Sequence, residues 1–387
     1  MKRAMLFALL VFVQLSSGRL VHAELPEAWR QQLSAERSGQ VLIYGAYGFT
    51  GKGIARLAAD YGITPVLAGR NPEKLAVVAQ ELKLPFIPLS LDDNHEQVVE
   101  VLKHFELVMH IAGPYTYTAK PMLDAAVEAG THYVDLTGEL HVIEEELARD
   151  REFQEAGIMV MPAVGFDVVP TDCLNLYVAE KVQNPTKLEL IMNNGFKEAE
   201  GAPVSRGTIK SGIEMLSRPL RMREDGVMVE VAKPKVIQRA VNGEEQTLVQ
   251  IPWADMITSW VSTGVPTIEI YSLQQGEIPG WVMSLLQYEW GKDLLIWVVD
   301  TFLPEGPPPE AQAQRQTQLI ATAQNKSGDS FSAEMITPEP YLLTFHSTLI
   351  VGRKILDGEW SPGFQTPAKM YGPDLALEIP GVARRDL

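Results

Sequence analysis

The sequence predicts an α/β protein, a doubly wound parallel sheet of Rossmann type followed by a second, mixed α/β domain. Three observations carry that prediction. Six short apolar or β-branched runs alternate with amphipathic helical stretches between Gln40 and Pro162, which is the rhythm of successive βαβ units. Several of these runs are apolar throughout, as strands are when helices cover both faces of their sheet. After Pro170 the alternation stops, and strand-like segments recur without a helix between each pair.

Taken in order, residues 41–44 read as the first strand and 51–61 as the first helix. A second strand at 64–68 precedes a helix over 72–82, opened by Pro72 where a helix tolerates proline. A third strand at 86–89, a helix at 96–105, a strand at 107–111 and a helix at 119–129 follow. A strand at 133–136, one helix over 140–155 and a strand at 158–162 complete a domain bounded at 40–168. The second domain is bounded at 169–362. It opens with a helix at 172–181, a strand at 188–192 and a Gly- and polar-rich stretch at 193–212. Strands are read at 227–231, 246–251 and 266–271; 341–355 is either a strand passing into a helix or one long helix. Glu305-Gly306-Pro307-Pro308-Pro309 reads as a stiff linker or turn.

Composition limits the function. The 387 residues carry 33 Lys+Arg against 49 Asp+Glu, a net charge of -16, so no nucleic acid is expected as partner, because phosphate tracking needs clustered cations. An anionic small ligand stays open, since one Arg and a helix N-terminus can hold it. Cys173 is the single cysteine, which excludes an intrachain disulfide and a cysteine-based zinc or iron–sulfur site. At the start, Lys2 and Arg3 precede an apolar run over 4–13, and Val21-His22-Ala23 offers a small-residue cleavage pattern. Residues 1–23 therefore read as a signal-like segment, as a membrane-interface helix, or as an over-extended start. The run is too short to span a bilayer. The stretch 281–303 gathers Trp281, Tyr288, Trp290, Trp297 and Phe302, interrupted by Asp293 and Asp300. It reads first as a core helix or homodimer contact, and second as a lining for an apolar substrate or a peripheral membrane surface.

The motif that carries chemistry follows the first strand. Gly45-Ala46-Tyr47-Gly48-Phe49-Thr50-Gly51 has the spacing G-x-x-G-x-x-G, a variant of the dinucleotide fingerprint with a strand before it and a helix after it. Its glycines permit a tight turn and close approach of a pyrophosphate, and the helix N-terminus turns free N–H groups toward that anion. A nucleoside-triphosphate loop is excluded, because Ala46 and Gly53 stand where that motif needs Gly and Ser or Thr. At the end of the second strand, Arg70 and Asn71 stand where an NAD site would place an acid. A guanidinium there suits a 2′-phosphate, so NADP(H) is the expected cofactor. Asp92 or Asp93 can reach the adenine, and either equally reads as a solvated turn residue. Ala112 and Gly113, after the fourth strand, are placed under the nicotinamide ribose, beside Tyr115. Tyr115, Asp135, Thr137 and Asp167 all end strands at the edge that faces a ligand. Each reads singly as a loop-shaping hydrogen-bonder, with Tyr115 or water as the proton source. His132, Asp135, Glu139 and His141 straddle a strand, a turn and a helix start, so no metal site is expected.

The chain resembles the saccharopine dehydrogenase-like oxidoreductases, in particular the branch with trans-acting enoyl reductases. The resemblance rests on GAYGFTG at 45–51, LAGR at 67–70, GPY at 113–115, YVDLTGE at 133–139 and GFDVVPTD at 165–172. SRGT at 205–208, which supplies Ser205 as a substrate residue, STGVPTIEIY at 262–271 and GFQTPAKMYG at 363–372 extend it. It implies that 363–387 packs back on the Rossmann domain, and that NADPH reduces an enoyl bond of a hydrophobic, lipid- or polyketide-like small molecule. Tyr47 departs from the family's usual Thr or Ser, and Val168-Val169 from a Ser after GFD, which removes a substrate contact. The substrate is expected between the domains, bounded by the loops at Gly113, Gly138 and Gly165 and by 262–271. An imine-reducing, amino-acid-forming enzyme and a non-catalytic NADP-binding protein at a lipid surface are the rivals. NADPH supply favours the cytoplasm, with membrane association open and export as the alternative.

Overall fold

Val41–Tyr44 forms β1 at the centre of a sheet in which every residue of β1 is buried. The computed structural model describes residues 25–92, 94–193, 204–273, 279–308 and 315–387. The signal-like segment 1–23, Asp93 and residues 194–203 of the polar-rich stretch lie outside the described residues. A short helix α1 (Glu27–Arg30) precedes β1. The first domain then runs α2 (Phe49–Leu57), β2 (Val66–Gly69), α3 (Pro72–Leu82), β3 (Phe86–Pro88), α4 (His95–Leu102) and β4 (Leu107–His110). It continues with α5 (Tyr115–Ala129), β5 (His132–Asp135), α6 (Leu140–Ala148), α7 (Asp150–Ala156) and β6 (Met159–Met161). The strands are all parallel, in the order β3-β2-β1-β4-β5-β6. The order reverses between β1 and β4, which opens a crevice at their carboxyl ends. Alternation within β1 explains why both faces must be covered. Val41 and Ile43 join one apolar cluster, Leu42 and Tyr44 the other.

Helix α8 (Val169–Glu180) leads out of this sheet into β7 (Lys187–Asn193) of the second. There follow α9 (Arg206–Leu216), β8 (Arg221–Glu224), β9 (Val227–Glu230), β10 (Val236–Val241), β11 (Glu244–Gln250), α10 (Asp255–Thr263) and β12 (Thr267–Leu273). Next come α11 (Gly280–Leu285), α12 (Glu289–Phe302), β13 (Thr317–Gln324), β14 (Ser330–Thr337) and α13 (Pro340–Leu356). The chain ends with β15 (Gly363–Phe364), α14 (Pro367–Tyr371) and β16 (Ala383–Asp386). Among the described residues the second sheet has nine strands, ordered β10-β11-β12-β7-β13-β14-β16, with β8 attached to β12 and β9 to β8. Only β12 and β7 pair in parallel among them. Among the described residues no helix is long and apolar enough to cross a membrane.

The structure differs from the sequence reading at three places, each with a physical reason, and decides between the two readings of 341–355. The helix expected over 140–155 breaks at Arg149 into α6 and α7. The break frees Asp150 to accept the Phe364 amide at 2.7 Å and fix β15 beside β6. Residues 341–355 belong to one long helix, whose N-terminus Glu339 caps by accepting from Tyr341 and Leu342 amides. This helix lies on α2 and β4, close enough that a Cβ on Gly53 would meet the Phe345 ring at 2.2 Å. The return to the first domain therefore begins at Pro340, ahead of the expected boundary at 363. The tail does not stay there: β16 pairs antiparallel with β14 of the second sheet. In the stretch read as a stiff linker or turn, Gly306 packs against the Phe49 ring and Lys52 pairs with Glu305 at 3.2 Å.

One buried carboxylate joins these parts. Asp172, in the first turn of α8, accepts from Ser262 of α10 at 2.9 Å and from the Ala368 amide of α14 at 3.0 Å. Ser262 in turn meets Thr366, the N-cap of α14, at 2.5 Å. Asp255 lies beside it and accepts from Thr171 at 2.8 Å and Ser259 at 2.9 Å. Burial pushes the Asp172 carboxyl up to about 6, against the pull of its four hydrogen-bond donors. A carboxyl raised in this way stabilises the fold in its protonated form. That contribution is complete below the unfolded value of about 3.9 and is lost as pH rises through about 6.

Replacing Asp172 by Ala leaves several buried donors without an acceptor and is expected to cost about 2–4 kcal/mol, read as a lowered melting temperature and urea midpoint. Asp172→Asn is expected to cost less, and its deficit relative to wild type is expected to shrink from pH 5 to pH 8, roughly, because the amide never ionises. An Ala variant that melts with wild type would show that this network does not hold the domains together.

Candidate cofactor crevice

The glycine loop is built by close approach. Gly45 has φ +89°, and a Cβ there would meet the Ile111 carbonyl oxygen at 2.7 Å. Its amide donates to Ala68, and a Cβ on Gly51 would meet the Gly45 oxygen at 2.3 Å. Side chains at either position would force the β1, β2 and β4 ends apart. Gly48 is exposed and caps α2 with extended backbone, so the first N–H groups of that helix face outward, unpaired within it. This is a cradle shaped for an anion, and the residues present fit a dinucleotide pyrophosphate. Thr50 is half-buried in the first turn. The Phe49 ring turns away, edge-on to Tyr341 at 5.0 Å, so only its backbone is offered to the cradle.

The adenosine side lies at the ends of β1, β2 and β3. The Tyr47 ring packs over Gly69, where a Cβ would meet it at 2.6 Å. Tyr47, Arg70 and Asp92 all act electrostatically on the Tyr44 phenol, which burial pushes up to about 12. Arg70 is exposed and makes no hydrogen bond or ion pair among the described residues, leaving its guanidinium available to a 2′-phosphate. Asn71 has a local duty as well, its side chain accepting from the Lys74 amide at 2.8 Å to cap α3. On the other side of the switch point, Ala112 accepts from the Thr118 hydroxyl at 2.7 Å. Gly113, joined to Pro114 by a cis peptide, is exposed beneath α9, and a Cβ there would stand 3.7 Å from Ser211.

The residues expected to meet substrate divide sharply. Tyr115 is buried, and its hydroxyl donates to the His110 carbonyl at 3.1 Å and accepts from the Leu136 amide at 3.3 Å. Burial raises it well above its ordinary range. Tyr115 thus ties two loops together, the loop-shaping role that is one of its two readings. Asp135 is also fully buried, accepting from Tyr133 at 2.8 Å and from the Thr137 and Ala163 amides at 2.9 Å. Thr137 is buried and accepts from the Glu139 amide at 3.1 Å. The Ser205 hydroxyl caps α9 by accepting from the Thr208 amide at 3.2 Å. In segment 262–271, Ser262 belongs to the Asp172 network and β12 to the middle of the second sheet. Asp167 stands apart. Its carboxylate has no hydrogen-bond partner among the described residues, lies where a Cβ on Gly138 would be 2.6 Å away, and is pushed up to about 6 by burial. Its carbonyl is held by the Trp253 indole at 2.7 Å.

The roles of two groups, Glu139 and His110, escaped the sequence reading. Glu139 is buried and accepts from the Tyr115 and Thr116 amides at 2.8 Å, from the Thr116 hydroxyl at 2.6 Å and from Ser211 at 2.9 Å. It therefore caps α5 from a different loop and fastens α9 over the strand ends, a pairing that no local spacing announces. His110 meets the Tyr133 hydroxyl at 2.9 Å. Since Tyr133 donates to Asp135, the His110 Nδ1 carries the proton, and burial holds the ring neutral with its pKa at about 3. Two cavities, of about 320 Å³ against Glu146 and Arg149 and about 520 Å³ against Gln318 and Arg385, lie away from the strand ends.

Comparison with known proteins agrees with this geometry. Residues 41–161 match the family model described as the saccharopine dehydrogenase NADP binding domain. The trans-acting enoyl reductase of Mycobacterium bovis is 35% identical over 150 residues, 37% of this chain and 36% of that protein. The saccharopine dehydrogenase-like oxidoreductase of Mus musculus is 30% identical over 200 residues, 46% of each chain. The matched part thus spans less than half the length of these relatives. Saccharopine dehydrogenase (L-Glu forming) from Saccharomyces cerevisiae shares the fold, with a TM-score of 0.60 at 14% identity over 90% of this chain and 99% of that one. Strands β1 to β6 with their helices are therefore similar to the NADP binding domain of saccharopine dehydrogenase.

Arg70→Ala is expected to weaken NADPH binding about 10- to 100-fold, the loss of one charge-assisted contact of about 1.5–3 kcal/mol, while NADH binding stays within about threefold. Fluorescence titration with both nucleotides checks this, and an unchanged preference would remove Arg70 from the 2′-phosphate site. Tyr115→Phe is expected to lower stability by about 1–2 kcal/mol, seen as a fall in melting temperature, without abolishing NADPH binding.

Proposed function

We propose that this domain, similar to the NADP binding domain of saccharopine dehydrogenase, serves an NADPH-dependent reductase of an activated C=C bond in a hydrophobic, enoyl-type substrate. The observation that carries the proposal is Asp167. It is a carboxyl without a partner among the described residues, at the strand edge that holds the cofactor cradle, with its pKa lifted by burial to about 6. NADPH, when bound, supplies the hydride. Reduction of an activated double bond also needs a proton, and Asp167 is the group that can hold one and release it near neutral pH. The Trp253 contact fixes the Asp167 backbone. Glu139 and Ser211 hold α9 across the edge, which limits water around the reacting bond.

The nature of the substrate is supported from the opposite direction. An imine reductase that forms amino acids needs cations for carboxylates. Arg206, the one arginine in a motif at this cleft, already donates to the Leu303 carbonyl at 2.7 Å. The 35% identity to a protein named as an enoyl reductase points the same way, over 37% of the chain. Dependence on NADPH favours a cytoplasmic enzyme; a mature protein that begins at Glu24 would defeat that placement.

NADPH oxidation measured against enoyl thioesters, and separately against α-keto acid and amine pairs, is expected to show turnover only with the former. Turnover with the pairs alone would replace the proposal, and tight NADPH binding without any turnover would make this a non-catalytic binder. Because Asp167 acts in its protonated form, kcat/KM is expected to fall as pH rises through about 6. Asp167→Asn is expected to lower kcat about 100-fold or more and to remove that limb of the profile. An unaltered profile in Asp167→Asn would assign the proton to another donor.

A further inference from the structure

Helix α12 is apolar on two faces, and only one of them is covered. Its inner face joins Val299, Leu295 and Ile296 to Ile213 of α9 and Leu286, forming one small core. Its outer face shows Trp290, Leu294 and Trp297, with Thr301 one step further on, all exposed. These positions advance by four, three and four residues, the spacing of a seam that meets another helix. Helix α11 extends the surface with Trp281 and Met283, and Tyr288 and Phe302 flank it. A soluble helix ordinarily turns a single apolar stripe to the core and a polar face to water.

The size and charge of the surface identify its occupant. The eight exposed apolar side chains from Trp281 to Phe302 leave bare on the order of 800 Å², taking about 150–250 Å² for each whole aromatic. That matches one partner's share of a stable protein interface, about 800 Å², and exceeds the roughly 300–600 Å² patch of an ordinary monomer. The aromatic groups are already arranged, Tyr288 stacked on Trp290 at 5.9 Å and Trp297 edge-on to Phe302 at 5.8 Å, so little ordering remains to oppose association. The lysines at the rim are engaged: Lys210 with Asp300 at 2.5 Å, Lys292 with Glu289 at 3.0 Å. An anionic bilayer finds no free cation in these pairs, and the chain as a whole carries -16. An apolar surface of this size whose neighbouring lysines are already paired suits a second copy of itself.

We propose that α11 and α12 form the contact by which two copies of this chain pair about a twofold axis. The contact lies one helix away from the crevice, since α12 packs on α9 and α9 is fastened to Glu139 through Ser211. Pairing therefore braces α9 over the strand ends.

Sedimentation equilibrium of the full chain is expected to give twice the 42.8 kDa monomer mass at low micromolar concentration. Raising salt from roughly 50 mM to roughly 500 mM is expected to tighten the dimer, because two chains of like charge repel less when screened. Trp297→Glu and, as a milder exposed change, Thr301→Arg are each expected to weaken association about 100-fold or more, about 2.7 kcal/mol. Both should leave far-UV circular dichroism and NADPH affinity unchanged. Wild-type protein that stays monomeric at about 100 μM, or dimers that survive both substitutions, overturn the proposal. So does a monomer that co-sediments with phosphatidylcholine or phosphatidylglycerol vesicles through Trp297, which would make this surface a lipid contact.

Discussion

The Asp172 carboxylate is the constraint on which the rest of the structure depends. Three segments distant in sequence, α8, α10 and the N-terminus of α14, converge on it. Helix α8 leaves the first sheet and lies against the second, while α14 follows directly after β15, the last strand of the first sheet. Fixing these three together fixes the two sheets. It also sets the start of α8, and Asp167 stands in the loop just before that start. The candidate proton donor is thus positioned by a polar network that touches neither cofactor nor substrate. Burying two carboxyls, Asp172 and Asp255, is costly unless donors surround them. The hydroxyls of Thr171, Ser259 and Ser262 meet that need.

The crevice shows the same economy of roles. Of the polar residues that end β4, β5 and β6, most hold loops. Tyr115 bridges the loops after β4 and β5, Asp135 organises its own turn and the one after β6, and Glu139 caps α5. A group whose hydrogen bonds are satisfied by backbone is poor at moving protons, because each transfer breaks a structural bond. Asp167 is left to face the crevice without a partner among the described residues. The cofactor side works through backbone instead. Gly45, Gly48 and Gly51 act by lacking side chains, so Tyr47 can stand where a smaller residue is usual without closing the cradle.

Much of the first domain was legible in the sequence. A strand buried on both faces is apolar at nearly every position, and β1 and β2 are recognisable for that reason alone. The glycine spacing identified the cradle because its cause is local: a turn, a close approach and a helix start within seven residues. Arg70 was legible for the same reason. The second domain was less so, because its strands pair across long separations, and pairing leaves no mark on spacing. Nothing in Ala383–Asp386, charged and four residues long, distinguishes a strand of the second sheet from a tail on the first. The division between α6 and α7 was hidden because it answers to the Phe364 amide, more than two hundred residues away.

What the sequence determined by itself, then, is the fold of the cofactor half, the position of the glycine turn and the exposed arginine at the end of β2. Each depends on residues within one strand–turn–helix unit. Only the tertiary structure decided the use of the remaining motifs. It turned GFDVVPTD, the Ser262 segment and GFQTPAKMYG into a single buried joint, tied the Tyr115 hydroxyl to two loops and left the Asp167 carboxylate without a partner among the described residues. Those assignments depend on which donor reaches which acceptor across the chain. Among buried polar groups that outcome is set by packing, since a carboxylate takes whatever donors the fold brings within about 3 Å.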